Sequence, residues 1–281
     1  MSDAERKKLL AQERYFGRSW THIYYLWKRN RIMLGKTTRS ILQITPHKLR
    51  RVLDLGCGSA TSLFEVFDVC SEIHGVQWYG LDLNIREVLA GAHRSRFRVS
   101  EWNKRAISFL VGDSFYLPIA DASLDMLLCS EVLEHLPDPN LAITEIVRVL
   151  KPSAYAFITT PNPNNMVERL GYAIDKMTRG ALKRAFWKGH DKISAPPLGA
   201  DVGFGHVSVY PYRTWRVWLE KAGMEIIRKV RGPMVFGGPF FDRHHLISGC
   251  IIALDPLLDR LPCRFLLSAN LGILCRKQAR H

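Results

Sequence analysis

What this sequence lacks narrows it first. No apolar run is long enough to cross a bilayer, and Met1 to Phe16 is charged throughout with no hydrophobic stretch, so neither a membrane span nor a cleaved leader is expected. The six cysteines contain no C-x-x-C pair, and three of them sit in apolar strand-like or turn positions. Buried free thiols in a reducing, cytoplasmic setting are therefore expected, not a disulfide framework or a cysteine zinc site. Acids are scarce: 26 Asp and Glu stand against 40 Lys and Arg, for a net charge of +14. Residues 1 to 51 alone hold thirteen Lys or Arg and three acids. A basic, aromatic-rich arm fits an anionic partner such as nucleic acid, acidic lipid headgroups or an acidic acceptor; the plainer account is a solvated helix face.

What is present centres on Arg51 to Ala60, RVLDLGCGSA. Val52, Leu53 and Leu55 make the apolar run of a strand covered on both faces, and Gly56 and Gly58 allow a sharp turn into a helix. Such a turn holds nucleotide-like ligands at the carboxyl edge of a parallel sheet. A second apolar strand, Gln77 to Leu83, ends in Asp82, an acid able to accept from a ribose diol, with Leu83 beside it. A third, Ile107 to Val111, runs into Gly112-Asp113-Ser114, where Asp113 can receive an adenine amino group next to Ser114 and Phe115. A nucleotide-binding dehydrogenase shares this pattern, but no complete G-x-G-x-x-G is present and Leu150-Lys151-Pro152 forms a turn before a later strand.

Together these residues resemble the class I S-adenosylmethionine-dependent methyltransferases, in particular the small-molecule and lipid methyltransferases that include the ubiquinone-pathway O-methyltransferases. The D-x-G-x-G turn falls on Asp54, Gly56 and Gly58, with Ala60 where the family often has a third glycine. The resemblance covers residues 46 to 162, and 205 to 231 more loosely. It implies S-adenosyl-L-methionine as cofactor. Asp54, Gly56, Cys57 and Gly58 would shape the pocket for its amino-acid portion, Asp82 and Leu83 the ribose side, and Asp113, Ser114 and Phe115 the adenine side. Ser130 completes the cofactor-binding set.

The alternation of strands and helices predicts an α/β fold: a doubly wound, seven-stranded, mostly parallel, Rossmann-like sheet with an N-terminal helical lid and insertions. Residues 1–45 read as the basic helical lid and 46–281 as the methyltransferase domain, with insertions at about 162–205 and 232–262. Ser2 and Glu5 form a capping box for a helix to about Tyr15, and a second helical stretch runs from Trp20 to Ile44 with Gly35 interrupting it. Tyr15, Phe16, Trp20 and Tyr24 are candidate lid residues, or simply packing aromatics. Leu141 to Leu150 and Thr214 to Gly223 read as helices, Ala154 to Thr160 and Met224 to Val230 as strands, and Phe265 to Cys275 as the final strand. Within 232–262, Leu246, Ile247, Cys250, Ile251, Leu254, Leu257 and Leu258 give an apolar helical surface. A core or homo-oligomer helix is the first expectation for it, and a membrane-interface helix the second.

The chemistry converges on Ser130 to His135, SEVLEH, after the fourth strand. Glu131 and Glu134 are three apart and Glu131 and His135 four apart, so a helical turn would bring all three to one side. Two carboxylates and an imidazole suit Mg or Zn. The segment looks like the metal-binding motif of the ubiquinone-pathway enzymes and of small-RNA terminal 2′-O-methyltransferases, whose further histidine has a counterpart at His206. In metal-free relatives the histidine lines the acceptor pocket, so His135 or His206 acting as a base is the alternative. The expected activity is O-methylation of a small-molecule or lipid-like acceptor. An RNA methyltransferase and a catalytically inactive cofactor-binding partner subunit stand as alternatives.

Overall fold

The computed structural model describes residues 19–45, 50–98, 107–178, 206–234, 242, 244–261 and 264–279. The expected helix to Tyr15, the lid candidate Phe16 and residues 179–205 of the expected insertion lie outside them. In chain order the elements are α1 (Trp20–Trp27), a π-helical segment (Lys28–Gly35), α2 (Lys36–Ile44), β1 (Arg50–Leu55), α3 (Thr61–Val69), β2 (Val76–Asp82), α4 (Ile85–Arg98), β3 (Ile107–Val111) and β4 (Leu124–Ser130). A 3-10 turn (Leu133–His135), α5 (Pro139–Val149), β5 (Leu150–Pro161), α6 (Met166–Met177), α7 (Tyr212–Lys221), β6 (Met224–Arg231), α8 (His245–Leu258), a second 3-10 turn (Arg264–Leu267) and β7 (Asn270–Lys277) follow.

The chain divides into two compact units: residues 1–29, 162–206 and 231–270 form the first, and 30–161, 207–230 and 271–281 the second. The second unit carries the sheet. Its seven strands run in the order β3-β2-β1-β4-β5-β7-β6, and the pairings among β1 to β5 are parallel. From β1 the chain winds outward to β2 and β3, then returns to the other side of β1 with β4 and β5. The crevice at that reversal, at the strands' carboxyl ends, is where an open α/β sheet binds ligand.

Strand alternation explains the two cores. Val52, Met126, Leu128, Phe157 and Leu274 point to the face covered by α3 and the Met33–Leu42 region. Their neighbours Leu53, Leu127, Cys129, Ala156, Ile158 and Ile273 point to the other face, under α5 and α7. A sheet clothed on both sides needs apolar residues at consecutive positions, which is why β4 is buried from Leu124 to Cys129. Helix starts follow local chemistry. Asn84 Oδ1 accepts from Arg86 N at 3.1 Å ahead of α4, and Asp138 Oδ1 accepts from Asn140 N at 3.0 Å with Pro139 in the first turn of α5. That cap and proline begin α5 two residues before the expected Leu141.

Two expectations are corrected. The stretch from Trp20 to Ile44 does not break at Gly35; it widens into a π-helix over Lys28–Gly35 and resumes as α2. Gly35 lies against Val69, where an added Cβ would come within 3.0 Å of Cγ2. The final strand starts at Asn270, not Phe265, because the preceding carbonyls are taken by side chains. Arg231 donates to the carbonyls of Arg264 and Leu267, and Asn162 Nδ2 to those of Phe265 and Ser268. Backbone acceptors satisfied in this way have no need of a ladder.

The first unit is built around charge. Asp255 on α8 is fully buried and pairs with Lys28 Nζ at 2.7 Å and Arg231 Nη2 at 2.5 Å, while Tyr24 Oη donates to its Oδ2 at 3.0 Å. Trp20 stacks on His245 with ring centroids 5.7 Å apart. The apolar residues of α8 are not core: its only buried residues are Ser248 and Asp255.

Candidate active site

The turn after β1 is fixed to the end of β2 by main-chain bonds. Gly56 N and Cys57 N both donate to the carbonyl of Leu81, at 2.7 and 3.0 Å, and Gly58 N donates to Asp82 Oδ2 at 2.8 Å. Gly56 and Gly58 adopt φ of +70° and +51°, which favours glycine, and a Cβ on Gly56 would meet Val132 Cγ2 at 2.3 Å. Ala60 holds φ +65° at the same turn with its methyl buried, so the small residue expected there carries the left-handed conformation despite its side chain.

Asp82 is half-buried; its Oδ1 accepts from Asn84 N at 2.8 Å, so two amides orient a carboxylate that has acceptor capacity for about two more donors. Gly112 N donates to the carbonyl of Asp82 at 3.1 Å, bringing the end of β3 alongside. There Asp113 Oδ1 accepts from Phe115 N at 2.9 Å and fixes the loop through Ser114 and Phe115, both partly exposed. Leu83, 70% exposed, offers an apolar surface next to Asp82. Two acids with acceptor capacity at adjacent strand ends, an exposed leucine and a glycine turn bare of side chains are the acceptor, the apolar surface and the open backbone that an adenosyl ligand requires. The residues present therefore fit it.

Asp54 and Cys57 lie beneath this turn, both buried. Burial, then the charges of Asp54 and Asp82, push the Cys57 thiol well above its ordinary range. Burial, reinforced by Glu134 and Asp54, does the same for Cys129. Both stay protonated at neutral pH and are not nucleophiles. Among the described cysteines Cys57, Cys70, Cys129 and Cys275 are buried free thiols, while Cys250 is exposed, unlike the buried thiols expected.

Beyond β4 the chain does not make the helical turn that would align the three acceptor-side candidates. Glu131 takes φ +57°, a strained conformation for a residue with a side chain, and the chain then closes the 3-10 turn Leu133–His135. Glu131 is consequently anchored to β5. Its N–H donates to the Thr159 carbonyl at 3.1 Å, and its Oε1 accepts from Thr159 Oγ1 at 2.8 Å. Ser130 Oγ lies 3.0 Å from the same hydroxyl. Glu134 is fully buried and His135 exposed, yet a carboxylate oxygen of one and a ring nitrogen of the other lie within 4.8 Å. The carbonyl of Glu134 accepts from Val207 N at 2.8 Å and Ser208 N at 2.9 Å. His206, the residue before Val207, belongs to the first unit. Thr159 and the Val207–Ser208 amides escaped the sequence reading. The first had a signal in the strand-end run Thr159-Thr160-Pro161; the amides had none, because main-chain donors leave no mark in side-chain identity.

Residues 20–229 match the family described as "Methyltransferase domain". The chain is 31% identical over 144 residues to the ubiquinone biosynthesis O-methyltransferase of Paracidovorax citrulli, covering 50% of this chain and 56% of that enzyme. It is 32% identical over 107 residues to norajmaline N-methyltransferase of Rauvolfia serpentina, covering 38% and 34%. These alignments span about a third to just over half the length of the two relatives. Among solved structures, a SAM-dependent methyltransferase from Thermotoga maritima superposes with a TM-score of 0.54 at 17% identity, over 98% of this chain and 97% of that one, a likeness of fold. With the matched domain spanning well over half of its length, the chain belongs to the methyltransferase-domain family and has the fold of the S-adenosylmethionine-dependent methyltransferases.

Proposed function

We propose that this enzyme methylates a hydroxyl oxygen of a small-molecule or lipid-like acceptor. The observation that carries the reading is the buried Glu134 carboxylate beside the exposed His135 imidazole, directly beyond the carboxyl end of β4. When bound, S-adenosylmethionine supplies a methyl group on a sulfonium, so the protein's work is alignment and proton removal. In this reading Asp82 holds the ribose diol and Asp113 the adenine amino group, with Leu83, Ser114 and Phe115 bordering the ring. Asp54, Gly56, Cys57 and Gly58 shape the pocket for the amino-acid end, and Ser130 closes its floor beside Thr159. His135 would take the hydroxyl proton, and Glu134 would stabilise the resulting imidazolium.

A carboxylate and an imidazole this close also suit a divalent ion, Mg or Zn. The residues that would hold it are Glu134 and His135, and it would supply charge against a developing alkoxide.

Methyl-labelled cofactor incubated with the enzyme and a cell extract, then partitioned into lipid, small-molecule and RNA pools, tests the proposal. Label in an O-methyl group of the first two pools is expected; label confined to amines or RNA overturns it. Repeating the assay in EDTA separates the two versions of proton removal. Full activity there assigns it to His135 alone, and loss restored by added Mg or Zn assigns it to a held ion.

A further inference from the structure

Helix α8 is inside out for a protein bathed in water. Its only charged residue, Asp255, is fully buried against Lys28 and Arg231, and the other buried residue is Ser248. The exposed residues are apolar or uncharged: Leu246 is 87% exposed, Leu254 52% and Leu257 54%, with Ile247 and Cys250 among them. Positions 246, 250, 254 and 257 recur at helical spacing, so they form one stripe. Amphipathic helices in water show the opposite arrangement, and an uncharged stripe of this kind marks contact with something apolar.

Two other helices of the same unit repeat the pattern at spacing four. Ile23 and Trp27 are exposed on α1, and Met166 and Leu170 on α6. Charge identifies the occupant. Arg243 precedes α8 in the sequence and Arg260 and Arg264 follow it, while Arg169 and Lys176 are exposed on α6. The segments of this unit hold eighteen Lys or Arg against ten Asp or Glu. Apolar stripes bracketed by cations complement a surface that is apolar below and anionic above, which is a lipid bilayer with acidic headgroups. Spanning is excluded for α8: its 14 residues reach about 21 Å, against about 30 Å of hydrocarbon, and no helix among the described residues is long and apolar enough to cross.

We infer that α8 lies flat in the interface of an anionic bilayer, with Leu246, Ile247, Cys250, Leu254 and Leu257 entering the headgroup boundary. This docking stands apart from the choice of acceptor atom, and its test uses no methyl transfer. The full chain is mixed with vesicles of equal parts phosphatidylglycerol and phosphatidylcholine, or of phosphatidylcholine alone. Sedimentation is read together with the alkylation rate of Cys250 by a water-soluble maleimide, located by peptide mapping.

The expected result is co-sedimentation with the anionic vesicles, weakening as salt rises, and slower alkylation of Cys250 on them. L254E/L257E should weaken binding about tenfold or more. L141E, an equally exposed leucine on α5 in the other unit, should leave it unchanged, with S-adenosylhomocysteine binding retained in both as the check on folding. If the double charge change unfolds the chain, protection of Cys250 in the unmodified protein decides alone. Equal alkylation with and without vesicles overturns the inference. So does a self-associating species in sedimentation velocity that L254E/L257E dissolves while lipid binding is absent, which would give the face to a second copy.

Discussion

The main-chain N–H of Gly58 donates to Oδ2 of Asp82 across 2.8 Å, so the turn after β1 and the acid that ends β2 form one piece. Asp82 thus shapes the turn and, in the proposed function, presents acceptor capacity to the ligand as well. Asp82→Ala should lower affinity for S-adenosylhomocysteine by about 10- to 100-fold, the range for lost hydrogen bonds to a charged group. Asp82→Asn should fall between, since an amide oxygen can still accept from Gly58. Titration calorimetry on the three proteins checks the order.

Gly56 faces Val132 closely enough that no side chain fits, and its φ of +70° adds a backbone term. Gly56→Ala should cost about 2–5 kcal/mol of stability, from overpacking and the left-handed conformation together. Val132→Ala in the same chain should recover the overpacking part and leave the backbone part. Urea unfolding of the single and double variants separates the two.

Asp255 is the pivot of the buried ionic group in the first unit, between Lys28 and Arg231. Asp255→Ala leaves the two buried cations with only the half-exposed Asp259, 3.7 Å from Lys28 and 2.9 Å from Arg231, and should destabilise by up to about 3–5 kcal/mol. Asp255→Asn keeps the shape and hydrogen-bonding atoms and should cost less. Thermal unfolding followed by far-ultraviolet dichroism reads both.

Tyr24 gives a pH signature. Burial, followed by the charge of Asp255 and the hydrogen bond to it, raises its phenol well above the ordinary value of 10.0. The unfolded chain releases that proton near pH 10 while the folded chain holds it, so stability is whole below pH 10 and is lost as pH rises beyond. Tyr24→Phe should be less stable than the parent at neutral pH and should show a shallower alkaline loss, measured as urea midpoints between neutral and alkaline pH.

The sheet and its strand-end turns were legible because their determinants are local. Val52-Leu53-Asp54-Leu55 declares a strand buried on both faces, and Gly56, Gly58, Asp82 and Asp113 stand within a few residues of the strand ends that place them. The acceptor side was less so. A helical spacing reading groups Glu131 with Glu134 and His135, but Glu131 turns left-handed and bonds to Thr159 on another strand, a partner 28 residues away. The same limit governs α8: its apolar content was plain, while its orientation is set by Lys28, Tyr24 and Arg231, which pull Asp255 inward from distant segments. Long-range ion pairs leave no periodic trace.

The strand order carries a consequence for synthesis. Because β7 lies between β5 and β6, the ribosome delivers β6 before its only neighbour in the sheet exists. Until Asn270–Lys277 emerges, β5 presents an open rim and β6 has nowhere to zip, so the nascent chain passes through an interval when strand addition by a stranger is possible. A chain stopped short of β7 should therefore clump instead of folding partway.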